Sequence, residues 1–189
     1  KHLINNKQSI KKKTNIDLNV KYVSAKNKQK KRKISIPKNK WLKNYLEASK
    51  RPDIDIVVEL IGGSDGAAKK LVFNSIKNKK HVVTANKALI SKHGDELAKF
   101  AEKKQVNLEF EAAVAGGVPI IRVIKEGLIT NKIHKICGIL NGTSNYILTK
   151  MFEKNMNFVD VLNEAKKLGY AESNPAADIN GDDAKSKIQ

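Results

Sequence analysis

Between Ile54 and Val114, three short apolar runs alternate with two longer stretches of helical periodicity. The runs are IDIVVELI (Ile54–Ile61), HVVTA (His81–Ala85) and VNLEFEAAV (Val106–Val114). Each is too short for a helix and suits a strand, the first two buried on both faces. Between them Ala67, Ala68, Leu71, Val72 and Ile76 recur as one face of a helix, and Leu89, Leu97, Phe100 and Ala101 do so again within Ala88–Lys104. Parallel strands cannot be joined by a tight turn. The order strand, helix, strand therefore predicts an α/β chain with a parallel sheet, helices on both its faces and right-handed crossovers.

The flanks extend the pattern. Upstream, Lys1–Ile10 reads as the end of a helix and Asn19–Ala25 as a strand running into the polar loop Lys26–Lys33. Trp41, Leu42, Tyr45 and Leu46 share one face of a short helix over Trp41–Ser49. Downstream of Gly116-Gly117-Val118-Pro119, the sequence predicts a helix over Ile120–Gly127, a strand over Ile133–Leu140, and helices over Ser144–Asn155 and Phe158–Leu168. A last helix starts near Asp182. The change of pattern sets a boundary near residue 115, dividing the chain into 1–115 and 116–189. The first residue is Lys1 rather than Met, and both ends enter or leave in mid-helix, so the sequence is expected to be truncated at both ends.

Charge adds a second constraint. The chain carries 37 Lys+Arg against 19 Asp+Glu, a net +18 that suggests an anionic partner. The excess is local: residues 1–51 hold 17 of the basic residues and two of the acidic ones. A nucleic-acid-binding module led by this segment is the alternative reading, and it requires aromatic side chains interleaved with the basic ones. Only Tyr22, Trp41 and Tyr45 are available there, and the last two suit a core-facing helix. A specific nucleic-acid partner is not expected. Cys137 is the single cysteine, which excludes an internal disulfide and a cysteine zinc cluster and fits a reducing cytoplasm. No apolar run approaches the roughly 18 residues a membrane span needs.

In open parallel sheets, ligands bind where the carboxyl ends of strands meet the following loops. The glycine-rich and polar stretches fall at those ends: Gly62-Gly63-Ser64, then Thr84-Ala85-Asn86-Lys87, then Glu111–Gly117. A dinucleotide or a phosphate is the ligand class this implies, although glycines also simply end strands.

Four motifs then occur in order: VVTANKALI (Val82–Ile90), FEAAVAGGVPII (Phe110–Ile121), GILNGTSNYIL (Gly138–Leu148), and LGYAESNP followed by DINGDDAKSK (Leu168–Pro175 and Asp178–Lys187). From about Ile54 onward the chain resembles the homoserine dehydrogenases. The resemblance implies an NAD(P)-dependent oxidoreductase interconverting L-homoserine and L-aspartate 4-semialdehyde, in the threonine, methionine and isoleucine branch of aspartate-derived biosynthesis. It implies an incomplete Rossmann-type sheet over 1–115 whose first strand and glycine-rich loop would lie upstream. Residues 116–189 would then be part of an α/β substrate and dimerisation domain. The complete chain would act as a cytoplasmic homodimer on a small-molecule substrate. A fragment without the phosphate-binding loop is expected to be inactive.

The same resemblance implies roles. Lys187 is the proton shuttle to the hydroxyl, Lys87 stands near the nicotinamide and substrate, and Asp183 shares a helix face with Lys187 four residues on. Glu172 and Asp183 take the substrate ammonium, with Asp178 as a neighbour, and Asn141-Gly142-Thr143-Ser144, Gly142 and Thr143 above all, present backbone and hydroxyl groups to the substrate. Thr143 or Ser144 would equally serve as a plain helix N-cap. Gly62, Gly63, Ser64, Asn86 and Lys87 hold the cofactor. Glu111, Val114, Gly116 and Val118 match the loop that binds a monovalent cation, thought to be sodium, in some relatives. Where an NAD enzyme tends to place an acidic residue for the ribose hydroxyls, this chain has Ala25-Lys26-Asn27 followed by lysines and an arginine, which favours NADP over NAD. A thiol-dependent aldehyde dehydrogenase using Cys137 is a third reading, set against Cys137 being a core residue of the strand IHKICGIL.

Overall fold

A computed structural model describes all residues from Lys1 to Gln189. In chain order the elements are α1 (His2–Asn5), α2 (Lys7–Thr14), α3 (Glu47–Lys50), β1 (Ile56–Glu59), α4 (Ala67–Lys77), β2 (His81–Thr84), α5 (Lys87–Lys104) and β3 (Leu108–Glu109). Then come α6 (Ile120–Arg122), continued by a wider turn over Val123–Gly127, α7 (Gly142–Lys154), α8 (Phe158–Lys167), α9 (Ala176–Ile179) and α10 (Asp182–Ile188). The chain is α/β, and its strands form one parallel sheet in the order β1-β2-β3. Val82 pairs with Leu108 and Val83 with Glu109.

The chain divides into two compact units. The first comprises residues 1–61, 65–83 and 95–109. Here α4 buries the stripe its periodicity marked, Ala68, Leu71, Val72 and Ile76. Leu71 joins Ile54 and Val57 in a cluster flanked by Tyr22, Tyr45, Leu46 and Ala48. Phe73 stacks on Phe100 of α5 with ring centroids 4.7 Å apart. The second unit comprises residues 62–64, 84–94 and 110–189. Its core lies between α7 and α8, where Ile147, Val161, Ala165 and Ala171 pack together.

Several expected elements come out differently, for one recurring reason: a strand exists only where a neighbour completes its ladder. The segment Asn19–Ala25 is no strand but a single parallel bridge, Val23 to Trp41. The bridge takes the Lys40 carbonyl and the Leu42 N–H on either side of Trp41, so the helix expected from Trp41 shrinks to α3. Strands β1 and β2 are not buried on both faces. Val57, Glu59, Val82 and Thr84 point inward, while Ile56 and Val58 are 44% and 52% exposed. The run Val106–Val114 pairs only at β3, because the backbone leaves the extended region at Phe110 and closes a tight turn over Glu111–Ala113. Residues Ile133–Leu140 make no strand. Residues 131–139 are exposed throughout, and Cys137 is an exposed thiol rather than a core residue.

Candidate active site

The loops after β1 and β2 both fall in the second unit, and Asn86 ties them together. Its backbone N–H donates to Thr84 Oγ1 at 3.0 Å, and its side-chain oxygen accepts from Leu89 N at 3.1 Å, which caps the first turn of α5. Its Nδ2 donates to the Gly63 carbonyl at 2.8 Å. Gly62 and Gly63 have φ of 89° and 78°, a left-handed backbone that glycine adopts without strain, and the space where a Cβ would stand is open at both. Bare backbone of this kind lets a phosphate or sugar approach closely, so the two loops fit a dinucleotide. Ser64 stands half-buried in the same turn. One residue beyond the Asn86 cap, Lys87 opens α5.

The other wall is built on the N-terminus of α7. Asn141 is the N-cap, accepting from Ser144 N at 2.7 Å, so neither Thr143 nor Ser144 has that role. Both hydroxyls instead donate to main-chain carbonyls: Thr143 to Tyr170 at 2.7 Å and Ser144 to Asp178 at 2.9 Å. The first bond ties the loop after α8 to α7, and the second ties α9 to it. Gly181, in the left-handed region at φ 79°, turns the chain between α9 and α10.

On α10, Asp183 and Lys187 share a face as their spacing requires, with Lys187 Nζ donating to Asp183 Oδ2 at 2.6 Å. Lys87 donates to Oδ1 of the same carboxylate. One carboxylate therefore takes two ammonium groups, one on each oxygen, and Lys187 donates in addition to the Leu140 carbonyl at 2.5 Å. Asn141 Nδ2 bridges Asp178 Oδ1 at 2.7 Å and Asp183 Oδ2 at 2.9 Å. The Asp183 side chain is 15% exposed. Burial works to raise its pKa, but the hydrogen bonds from Lys187, Lys87 and Asn141 and the nearby Lys87 charge outweigh burial, holding the carboxyl well below the usual carboxylate range. The result is a fixed anion between two cations, able to orient an ammonium donor toward a reacting oxygen.

Lys87, Asp178, Asp183 and Lys187 thus meet in one network, adjoined by Asn86 and Gly63. Gly142 is the exposed first residue of α7, beside the network. Glu172 is exposed in the loop after α8 and stands outside the network. Of the loop residues matched to a cation site, Glu111 spends its carboxylate on the amides of Ile121 and Arg122, at 3.0 and 2.9 Å. The Val118 carbonyl accepts from Ile120 N at 2.8 Å. Val114 is half-buried, whereas Gly116 is exposed. Asn141 bonds to both aspartates, a role that its place in the motif GILNGTSNYIL and its Asn-Gly pair before a helix did not specify.

In the first unit, the lysine-rich loop folds around an arginine. Arg32 donates through Nη1 to the carbonyls of Lys28 and Lys30, at 3.1 and 2.7 Å, and through Nη2 to that of Asn27 at 2.8 Å. Its guanidinium lies 5.1 Å from the Trp41 ring centroid. With Arg32 occupied, Lys26, Lys28, Lys30, Lys31 and Lys33 remain exposed.

Two family models match the chain, the NAD binding domain of homoserine dehydrogenase over residues 2–111 and homoserine dehydrogenase over residues 119–189. Homoserine dehydrogenase from Neisseria gonorrhoeae is 53% identical over 152 residues, which cover 80% of this chain and 35% of that protein. The crystal structure of homoserine dehydrogenase from S. aureus at pH 7.5 superposes with a TM-score of 0.81 at 38% identity, over 98% of this chain and 44% of its own. A hyperthermophilic archaeal homoserine dehydrogenase, solved in complex with NADPH, has a TM-score of 0.68 at 32% identity, over 76% and 44%. The chain spans less than half the length of the relatives it matches.

Proposed function

The chain belongs to the homoserine dehydrogenase family, and on that premise we propose that the full-length protein interconverts L-homoserine and L-aspartate 4-semialdehyde with a nicotinamide cofactor. The observation that carries the reading is the placement of Lys87 and Lys187 on the two oxygens of Asp183. Gly62, Gly63, Ser64 and Asn86 would hold the cofactor, whose nicotinamide supplies the hydride acceptor or donor when bound. In the direction of reduction, Lys187 gives a proton to the substrate oxygen as it gains negative charge. Lys87 places a second positive charge beside the same centre. Asp183 and Glu172 take the substrate ammonium, with Asp178 beside them and Gly142 and Thr143 lining the approach. Residues 1–115 serve the cofactor and 116–189 the substrate, in a homodimer.

NADP is the preferred cofactor in this reading. The lysines exposed on the loop folded around Arg32 follow directly on Ala25, the point in the sequence where an NAD enzyme tends to place an acidic residue, and no carboxylate stands among them. The same loop falls inside the residues matched by the NAD-binding model, which favours a nucleotide cofactor over a nucleic acid as the reason for its charge. A monovalent cation at Glu111, Val114, Gly116 and Val118 would need the Glu111 carboxylate to share itself with two amides, and no catalytic step depends on it.

The test is homoserine-dependent reduction of NADP and of NAD by the full-length protein and by its Lys187→Ala variant. Activity that prefers NADP, with kcat collapsing in the variant while the homoserine KM changes little, is the expected result. A parent with no homoserine-dependent reduction of either cofactor overturns the proposal.

A further inference from the structure

We infer that Asn141 is a positioning residue for this chemistry: its amide clamps Asp178 and Asp183 together and so keeps Asp183 between the two lysines. The inference rests on the oxidoreductase reading of the site. Three of the four hydrogen-bonding positions of the Asn141 side chain are used. Both Nδ2 protons go to carboxylates, one to Asp178 at 2.7 Å and one to Asp183 at 2.9 Å. Its Oδ1 accepts from Ser144 N at 2.7 Å. The amide has one usable orientation, because flipping it would set oxygen against two carboxylates and aim its protons at an N–H donor.

Two carboxylates side by side repel unless donors hold them. Asp178 and Asp183 come from different helices, α9 and α10, and Asn141 is the side chain that bonds to both. Its immediate neighbours reinforce the same junction. The Leu140 carbonyl takes the Lys187 ammonium at 2.5 Å, and Ser144 Oγ donates to the Asp178 carbonyl at 2.9 Å. A five-residue turn, 140–144, thereby sets the direction of Asp183 and the reach of Lys187. Asn141 itself is buried, 9% exposed, so its role is exerted through the aspartates rather than on the substrate.

Aspartate caps a helix as well as asparagine does, but lacks the two donors. Asn141→Asp therefore keeps the cap and removes the clamp, replacing two hydrogen bonds with a third carboxylate. In the full-length protein this variant should fold, with kcat for homoserine oxidation reduced at least about tenfold, the scale on which misplaced reacting groups cost rate. The KM for NADP should stay within about twofold, because the cofactor loops are untouched. Asn141→Ser, a good cap with one donor, is measured in parallel and should lose part of the rate.

Lys187→Ala separates the two levels of the argument. If Lys187→Ala abolishes turnover while Asn141→Asp keeps parental kcat per folded molecule, Asn141 is a helix cap only and the inference is overturned alone. If Asn141→Asp does not fold, an unreduced kcat in Asn141→Ser with the same Lys187→Ala result overturns it. If the parent shows no homoserine-dependent reduction, or Lys187→Ala leaves turnover unchanged, the reading of the site falls and the inference with it.

Discussion

Lys187 Nζ stands 2.6 Å from Asp183 Oδ2, one turn away on the same short helix. An exposed pair at this spacing would be worth only about 0.3–0.5 kcal/mol. This one differs because the carboxylate is largely covered and takes Lys87 and Asn141 as well. A helix of seven residues would not hold itself in water. Its place depends on the bonds from the 140–144 turn and from Lys87, so the chemical cluster is also the attachment of α10.

That dependence has a sign in pH. The Asp183 carboxyl is depressed in the folded chain, so the stability it contributes is fully present above the unfolded carboxylate value of about 4. It is lost as the pH falls through the lower folded value. Asp183→Asn should therefore be less stable than the parent at pH 7, with the gap closing below about pH 4. Urea unfolding at a series of pH values measures this. Parent and variant curves that stay parallel down to about pH 2 would exclude the linkage.

Arg32 tests the cofactor reading without touching the catalytic cluster. Its guanidinium is used on three carbonyls and the Trp41 ring, so its contribution is to hold the lysine-bearing loop in shape. Arg32→Gln keeps one amide donor group and loses the fork and the ring contact. In the full-length protein the KM for NADP should rise by roughly fivefold, about 1 kcal/mol, with the KM for NAD little changed. Equal rises for both cofactors would mean that the loop supports the fold rather than the 2′-phosphate.

How far the sequence was readable depended on where each signal came from. Helices α4, α5, α7 and α8 carry their apolar stripe within themselves, and their spans follow it to within a few residues. Strands depend on a neighbour that no local pattern reveals. Hence Asn19–Ala25 reduces to one bridge and Ile133–Leu140 stays unpaired, although both have β-prone composition. At the site, the lysines and aspartates stood out through long motifs. Asn141 lies in one of those motifs too, but its part as a clamp was not legible, because its local signal is that of any helix cap, while its partners Asp178 and Asp183 lie 37 and 42 residues away.

Cys137 separates the hydride-transfer reading from a thiol mechanism. It is exposed rather than buried in a strand, so a reagent can reach it in this chain. Exposure alone activates no thiol. Cys137→Ser in the full-length protein should keep kcat and KM within about twofold of the parent, and should remove labelling by iodoacetamide. A loss of turnover on the scale of Lys187→Ala would point to a covalent thiol step instead.

The packing beneath the site yields a final expectation. Ile147 is 3% exposed and meets Val161, Ala165 and Ala171 between α7 and α8. Truncating it to alanine should cost about 2–5 kcal/mol, against about 0.5–1.5 kcal/mol for valine. The alanine value should fall toward the lower end, because Met151 and Met156 line the cluster and flexible thioethers fill voids. The α7 N-terminus is anchored separately, by Thr143 on the Tyr170 carbonyl and by Asn141 on the aspartates. Ile147→Ala should accordingly lower the urea midpoint while leaving kcat per folded molecule unchanged. A fall in kcat at full stability would show instead that the cluster sets the position of the 140–144 turn.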